Sequence, residues 1–206
     1  MILYKEKVKE RFDELADSYS NNAISYIRDK RLYLINKHIK KEDRVLEIGC
    51  GSGNILRFIN SKNIYGLDIS PKMIDFCKKT IPYGNFTQGD AENLPYENDF
   101  FDKVIISEVL YYLPDLEKAL EEAKRVLKKD GLLLITSLNK KYNFVKTLVN
   151  ILKIGVHDNV SMSYISLNNL KNNLEKDFKI GEISSVPIKF MPANYSLIFF
   201  ISAKKE

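Results

Sequence analysis

Val45-Leu46-Glu47-Ile48-Gly49-Cys50-Gly51-Ser52-Gly53 decides how the rest of this chain is read. A short apolar run ends in three glycines at alternate positions, which suits a buried strand feeding a tight turn. Glycine there lets the backbone turn sharply and lets a ligand approach without a Cβ in the way. In an open parallel sheet, ligands sit beyond the carboxyl ends of the strands, where the chain order reverses. A glycine-rich loop is also what a structural turn looks like, so its surroundings must arbitrate.

Downstream, strand and helix patterns alternate. A helix is expected near Ile55 to Asn60, then a strand at Ile64-Tyr65-Gly66-Leu67-Asp68. Ser70 suits the N-cap of the next helix and Pro71 its first turn. Asn85-Phe86-Thr87-Gln88 and Lys103 to Ser107 read as the third and fourth strands, Leu116 to Leu127 as a helix, and Leu132 to Ser137 as the fifth strand. This alternation predicts an α/β fold, a doubly wound parallel sheet covered on both faces.

Upstream, Phe12, Leu15, Ala16 and Tyr19, then Ile24, Ile27, Leu34 and Ile35, recur at helical spacing. They predict an N-terminal helical segment over residues 1–40, broken at Ser20-Asn21-Asn22. After Ser137 a simple crossover needs one helix, yet two patterns follow: Phe144 to Leu152, and Leu167 to Phe178 behind Ser166 as N-cap. The first, with its flanks over residues 139–164, reads as an insertion. Closing strands are expected at Ile180 to Val186 and Ser196 to Ala203, with Pro187 and Pro192 between them, where no ladder donor is needed. Residues 1–206 read as one domain.

Composition narrows the class. A hydrophobic fraction of 45% is that of an ordinary globular protein. No apolar run approaches the roughly 18 to 20 residues that span a bilayer, and the N-terminus turns charged at Lys5-Glu6, unlike a signal peptide. Cys50 and Cys77 form neither a disulfide framework nor a metal-binding spacing. The expectation is a reduced, cytoplasmic protein without a metal. The net charge of +5 comes from scattered lysine pairs such as Lys78-Lys79 and Lys128-Lys129. A nucleic-acid reader clusters its basic residues and interleaves aromatic ones, so solvated surface is the better reading.

Three carboxylates lift the glycine loop above a structural turn. Asp68 ends the second strand, where a carboxylate reaches ribose hydroxyls in sheets of this type. Asp90 follows the third strand, and Glu47 lies inside the glycine segment. A dinucleotide would bring a pyrophosphate that these acids repel. S-adenosylmethionine has no phosphate and carries a sulfonium and an ammonium, so acidic residues suit it. The pattern G-x-G-x-x-G would also need glycine at Asn54; the third glycine is instead Gly53.

With these motifs assembled, the chain resembles a class I S-adenosylmethionine-dependent methyltransferase, of the branch that methylates small molecules in the manner of ubiquinone and menaquinone biosynthesis. The resemblance rests on residues 45–53, on Gly66-Leu67-Asp68-Ile69-Ser70 and on Gly89-Asp90-Ala91-Glu92-Asn93-Leu94-Pro95. Phe101-Asp102-Lys103-Val104-Ile105 and Leu127 to Leu133 continue it in order. It implies a Rossmann-like sheet of seven strands, mostly parallel with the last antiparallel, and S-adenosyl-L-methionine as cofactor. It also implies that Gly49, Gly51 and Gly53 wrap the methionine part, Asp68 holds the ribose and Ile69 lies on the adenine. Asp90, with the Ala91 backbone, would face the adenine amino group, and the Ser107 carbonyl the ammonium. Glu47, Cys50, Met73 and Glu92 are counted with them. Tyr19, in the segment Phe12 to Tyr19, would fold over the cofactor, and residues 139–164 would cap the substrate.

No catalytic residue stands out. Glu108, Tyr112 and His157 are the candidates: Glu108 as proton acceptor, helix-start carboxylate or cofactor contact, Tyr112 as pocket wall or core residue, His157 as general base or exposed loop residue. The expected partner is a small, apolar or aromatic methyl acceptor. The asparagine-proline-proline-aromatic signature of amino-directed nucleic-acid methyltransferases is absent after the fourth strand, where Ser107-Glu108-Val109-Leu110 stands. Rival readings are an RNA or protein methyltransferase, a cofactor-binding partner protein without turnover and, last, an NAD-type oxidoreductase. Oligomeric state is not encoded in these patterns.

Overall fold

A computed structural model describes residues 1–16, 25–140, 162–186 and 192–206. Two helices, α1 (Ile2–Leu15) and α2 (Ser25–Asn36), precede the sheet. Then come β1 (Arg44–Ile48), β2 (Asn63–Asp68), α3 (Pro71–Thr80), β3 (Asn85–Gln88), β4 (Phe101–Ser107), α4 (Leu116–Val126) and β5 (Leu127–Leu138). The helix α5 (Leu167–Leu174) and the strands β6 (Phe178–Val186) and β7 (Ile198–Lys205) complete the chain. Tyr19, His157 and most of the expected insertion lie outside the described residues, as does Pro187.

The seven strands lie in the order β3-β2-β1-β4-β5-β7-β6. β1 pairs in parallel with β2 on one side and β4 on the other, so the chain order reverses beside β1. β7 is antiparallel to β5 and β6, as the sequence resemblance implies. Period-two alternation divides the apolar residues between two cores. Leu46, Ile48, Val104, Ile106, Leu133 and Ile135 face α4 and α5, while Val45, Ile105 and Leu134 face the side of α2 and α3.

The helices start where sequence chemistry allows. The Ser70 hydroxyl accepts the Met73 N–H at 3.1 Å with Pro71 at the first helical position, and the Asp115 carboxylate accepts the Lys118 N–H at 3.0 Å. Ser166 caps α5 by accepting from the Asn169 N–H at 3.2 Å. Each such cap satisfies a backbone donor that has no partner inside the helix.

Three expectations are corrected. The helix near Ile55 to Asn60 is only a 3₁₀ turn, Leu56–Phe58. The Asn36 amide at the end of α2 donates to the Phe58 carbonyl at 3.0 Å and accepts the Asn60 N–H at 3.1 Å, and Ile59 is already extended. The side chain thus takes bonds that a continuing helix would have made itself. β5 begins at Leu127, five positions before the expected Leu132, because Leu127 pairs with Phe101 across an irregular register. α5 stops at Leu174, with the Asp177 N–H closing back on the Leu174 carbonyl at 3.0 Å, so Phe178 opens β6.

Candidate functional site

The loop after β1 is built by hooks to its neighbours. The Gly49 and Cys50 N–H groups both donate to the Leu67 carbonyl, at 2.7 and 3.0 Å. Gly49, Gly51 and Gly53 all have positive φ, a region that L side chains rarely enter. At Gly49 space adds to backbone: a Cβ there would lie 2.3 Å from Val109 Cγ2. Cys50 and Cys77 are buried beneath the loop, and the Cys77 thiol donates to the Gly51 carbonyl at 3.1 Å.

Asp68 is fixed at the end of β2. One carboxylate oxygen accepts the Gly51 N–H at 2.8 Å and the other the Ser70 N–H at 2.9 Å. Burial pushes its carboxyl above the usual carboxylate range, and these two backbone donors oppose that rise. Each oxygen retains a lone pair for a further donor.

A cavity opens on Asp68, with Ile69, Asp90 and Ala91 beside it. Lys5, Val8 and Phe12, one face of α1, lie across it, and Tyr112 lines the wall. The Asp90 carboxylate accepts the Glu92 N–H at 3.0 Å and the Lys5 ammonium at 2.6 Å. A second cavity lies on the other side of the loop, lined by Glu47, Cys50, Ser52, Tyr111 and the α2 residues Arg28 and Arg31. Gly49, Gly51, Ser107 and Glu108 line both, so the two join around the loop.

Four residues lining the second cavity carry buried polar atoms that make no hydrogen bond within the protein: Glu47 Oε2, Ser52 Oγ, Arg31 Nε and Glu108 Oε1. Buried polar groups are almost always bonded, so leftover donors and acceptors on residues lining one cavity make it a candidate ligand site. Burial pushes the Glu47 carboxyl well above the usual range. It raises Glu108 as well, against the opposing charge of Arg31, whose Nη1 stands 3.8 Å from Glu108 Oε1. Glu108 also has φ of 60°, a left-handed conformation that is costly for a residue with a Cβ and clusters at functional sites.

The structure therefore brings Gly49, Gly51, Asp68, Ile69, Asp90, Ala91, Ser107 and the candidates Glu108 and Tyr112 around one cavity, and Glu47 and Cys50 around its neighbour. Gly53, Met73 and Glu92 line neither. Met73 is fully buried behind the α3 cap, Gly53 packs against Ile81, and Glu92 meets the site through Lys5 and through its N–H bond to Asp90. Lys5, Arg28 and Arg31 were not singled out from sequence. The signal for Arg31 was available, a guanidinium between Ile27 and Leu34 on the apolar stripe of its helix.

Comparison with known proteins agrees with this geometry. Residues 46–135, from β1 to β5, match the family model described as a methyltransferase domain. The chain belongs to the class I S-adenosylmethionine-dependent methyltransferases. Among curated relatives, it is 39% identical over 157 residues to an uncharacterized protein of Methanocaldococcus jannaschii, covering 73% of this chain and 59% of the relative. It is 30% identical over 154 residues to a ubiquinone/menaquinone biosynthesis C-methyltransferase of Campylobacter jejuni, covering 66% of each. The chain thus spans about three fifths to two thirds of these relatives' length. A Thermotoga maritima crystal structure described as a S-adenosylmethionine-dependent methyltransferase, possible histamine N-methyltransferase, superposes with a TM-score of 0.77. It has 21% identity and covers 95% of this chain and 98% of that one, a likeness of fold. No helix among the described residues is long and apolar enough to cross a membrane.

Proposed function

We propose that this chain binds S-adenosylmethionine across the two joined cavities and transfers its methyl group to a small, apolar or aromatic acceptor. The observation that carries this reading is the set of orphaned buried atoms around the second cavity. An ammonium and a carboxylate on one carbon would satisfy Glu47 and Arg31 together, while an adenosine would take Asp68 and Asp90 in the first cavity.

When bound, the cofactor supplies a methyl group activated by sulfonium, open to in-line displacement by an acceptor lone pair. The chain's own residues orient and shield. Asp68 would hold two ribose hydroxyls on its free lone pairs, and Ile69 would cover one face of the adenine. Asp90 would accept from the adenine amino group. Arg31 would hold the amino-acid carboxylate, with Glu47 and the Ser107 carbonyl holding the ammonium. Phe12 and Tyr112, packed edge to face at 5.2 Å, would exclude water from the transfer region. An acceptor that must lose a proton would find Glu108 at the junction of the cavities.

The C-methyltransferase relative favours a small ring acceptor. The test is a titration with S-adenosylhomocysteine and with NAD, followed by incubation with methyl-labelled cofactor and three acceptors: a metabolite extract, bulk RNA and bulk protein. Micromolar binding of S-adenosylhomocysteine and label in the metabolite fraction are expected. Label confined to RNA or protein would replace the small-molecule reading, and binding without any transfer would leave a partner protein.

A further inference from the structure

Helix α1 covers the first cavity with a modest apolar face, in which Tyr4, Phe12 and Leu15 are only half-buried. Val8 is its single fully buried residue, whereas Ile2 and Leu3 are each 79% exposed. Ionic and polar contacts hold it down at both ends as well. Asp13, near its far end, accepts the Ser70 hydroxyl at 2.5 Å. Lys5, near its start, reaches both Asp90, at 2.6 Å, and Glu92, at 2.5 Å.

Glu92 makes this contact more than a surface ion pair. It is 3% exposed, and its other carboxylate oxygen accepts the Asp115 N–H at 2.9 Å. Its backbone N–H donates to Asp90, so two carboxylates stand side by side under the helix. Among the described residues, Lys5 is the cation recorded against either of them. Lifting α1 would leave two adjacent carboxylates without their shared counter-charge, and like charges so placed repel. The N-terminal helix therefore carries the ion that the floor of the cavity needs.

We propose that Lys5 is the positioning residue that pins α1 shut over the bound cofactor and so sets how long the cofactor stays. This rests on the cofactor reading above. Lys5 holds one side of Asp90 while the adenine amino group would take the other, so the same ammonium orients the adenine acceptor and closes the lid. Val8 and Phe12, three and seven residues further along the helix, come down with it on the same face.

The test loads the protein with labelled S-adenosylhomocysteine, chases with excess unlabelled ligand, and compares wild type with Lys5→Met and Lys5→Arg at low and high salt. Lys5→Met should release the ligand about ten-fold faster, in keeping with loss of a partly buried charge-assisted contact. Lys5→Arg, which keeps the charge, should restore most of the residence time. Salt should speed release from wild type and leave Lys5→Met nearly unchanged. Amide exchange of residues 2–15 in the liganded protein should rise in Lys5→Met alone. Equal release from wild type and Lys5→Met overturns the proposal. So does faster release that neither salt nor arginine modifies, because that pattern marks a packing defect. Failure of wild type to bind S-adenosylhomocysteine at all would instead sink the cofactor reading.

Discussion

Gly49 and Val109 touch so closely that a single methyl on the glycine would stand 2.3 Å from Val109 Cγ2. The loop after β1 and the end of β4 are thereby locked together. Gly49→Ala should bring both this collision and a left-handed alanine, the latter alone costing about 1 kcal/mol. At least a ten-fold loss of S-adenosylhomocysteine affinity and a lower melting temperature are expected. Adding Val109→Ala to Gly49→Ala should recover part of both, since it removes the colliding methyls, and a double mutant no better than the single would locate the defect elsewhere.

Asp68→Asn keeps the shape of the side chain while replacing one acceptor oxygen with an amide donor. It would set an N–H against either the Gly51 or the Ser70 N–H. Affinity for S-adenosylhomocysteine should fall by about ten- to one-hundred-fold, the range for charged hydrogen bonds to a ligand. Calorimetric titration of the two proteins checks this, and an unchanged affinity would remove Asp68 from the ribose.

Arg31 should read only the amino-acid end of the ligand. Arg31→Met is expected to bind S-adenosylhomocysteine at least ten-fold more weakly, yet to bind methylthioadenosine, which lacks that end, as wild type does. Equal losses for both ligands would mean that the substitution disturbs α2 as a whole.

Burial raises the Glu47 carboxyl well above the ordinary glutamate value of 4.5. The folded protein therefore keeps a proton that the unfolded chain releases. Its stabilising effect is complete below about pH 4.5 and is lost as pH rises through the raised value. Glu47→Gln should flatten the decline of unligated stability with pH over that window, as followed by denaturant melts. An arriving ammonium favours the ionised form, so ligand binding should release a proton and strengthen with pH. Calorimetry in buffers of different ionisation heat detects that proton, and its persistence in Glu47→Gln would assign it to Glu108 or Asp68, both also raised by burial.

Much of the fold was legible because its signals are local. The strand at Val45 to Ile48, its glycines and the caps at Ser70 and Ser166 each depend on residues a few positions apart. The turn at Leu56 was misread because the deciding group, the Asn36 amide, comes from another helix. The site divides the same way. Asp68, Asp90 and the glycines sit in short motifs, whereas Lys5 meets Asp90 across 85 positions of sequence, a pairing that no spacing rule can announce. Met73, counted with the site from its place near the Asp68 motif, lies in the core behind the Ser70 cap and lines neither cavity.

The brevity of the turn Leu56–Phe58 has an electrostatic consequence. Dinucleotide sites aim the N-terminus of a full helix at the pyrophosphate, and the aligned peptides behind it provide a positive end. Here three residues stand where that helix would begin, and by Ile59 the backbone has turned away. Few peptide dipoles add up behind the loop, so positive charge for an anionic group beside it comes from side chains, Arg28 and Arg31, and not from the backbone. A ligand whose reacting atom is a cation forfeits nothing by that lack, and a dianionic pyrophosphate would lose the helix end it needs.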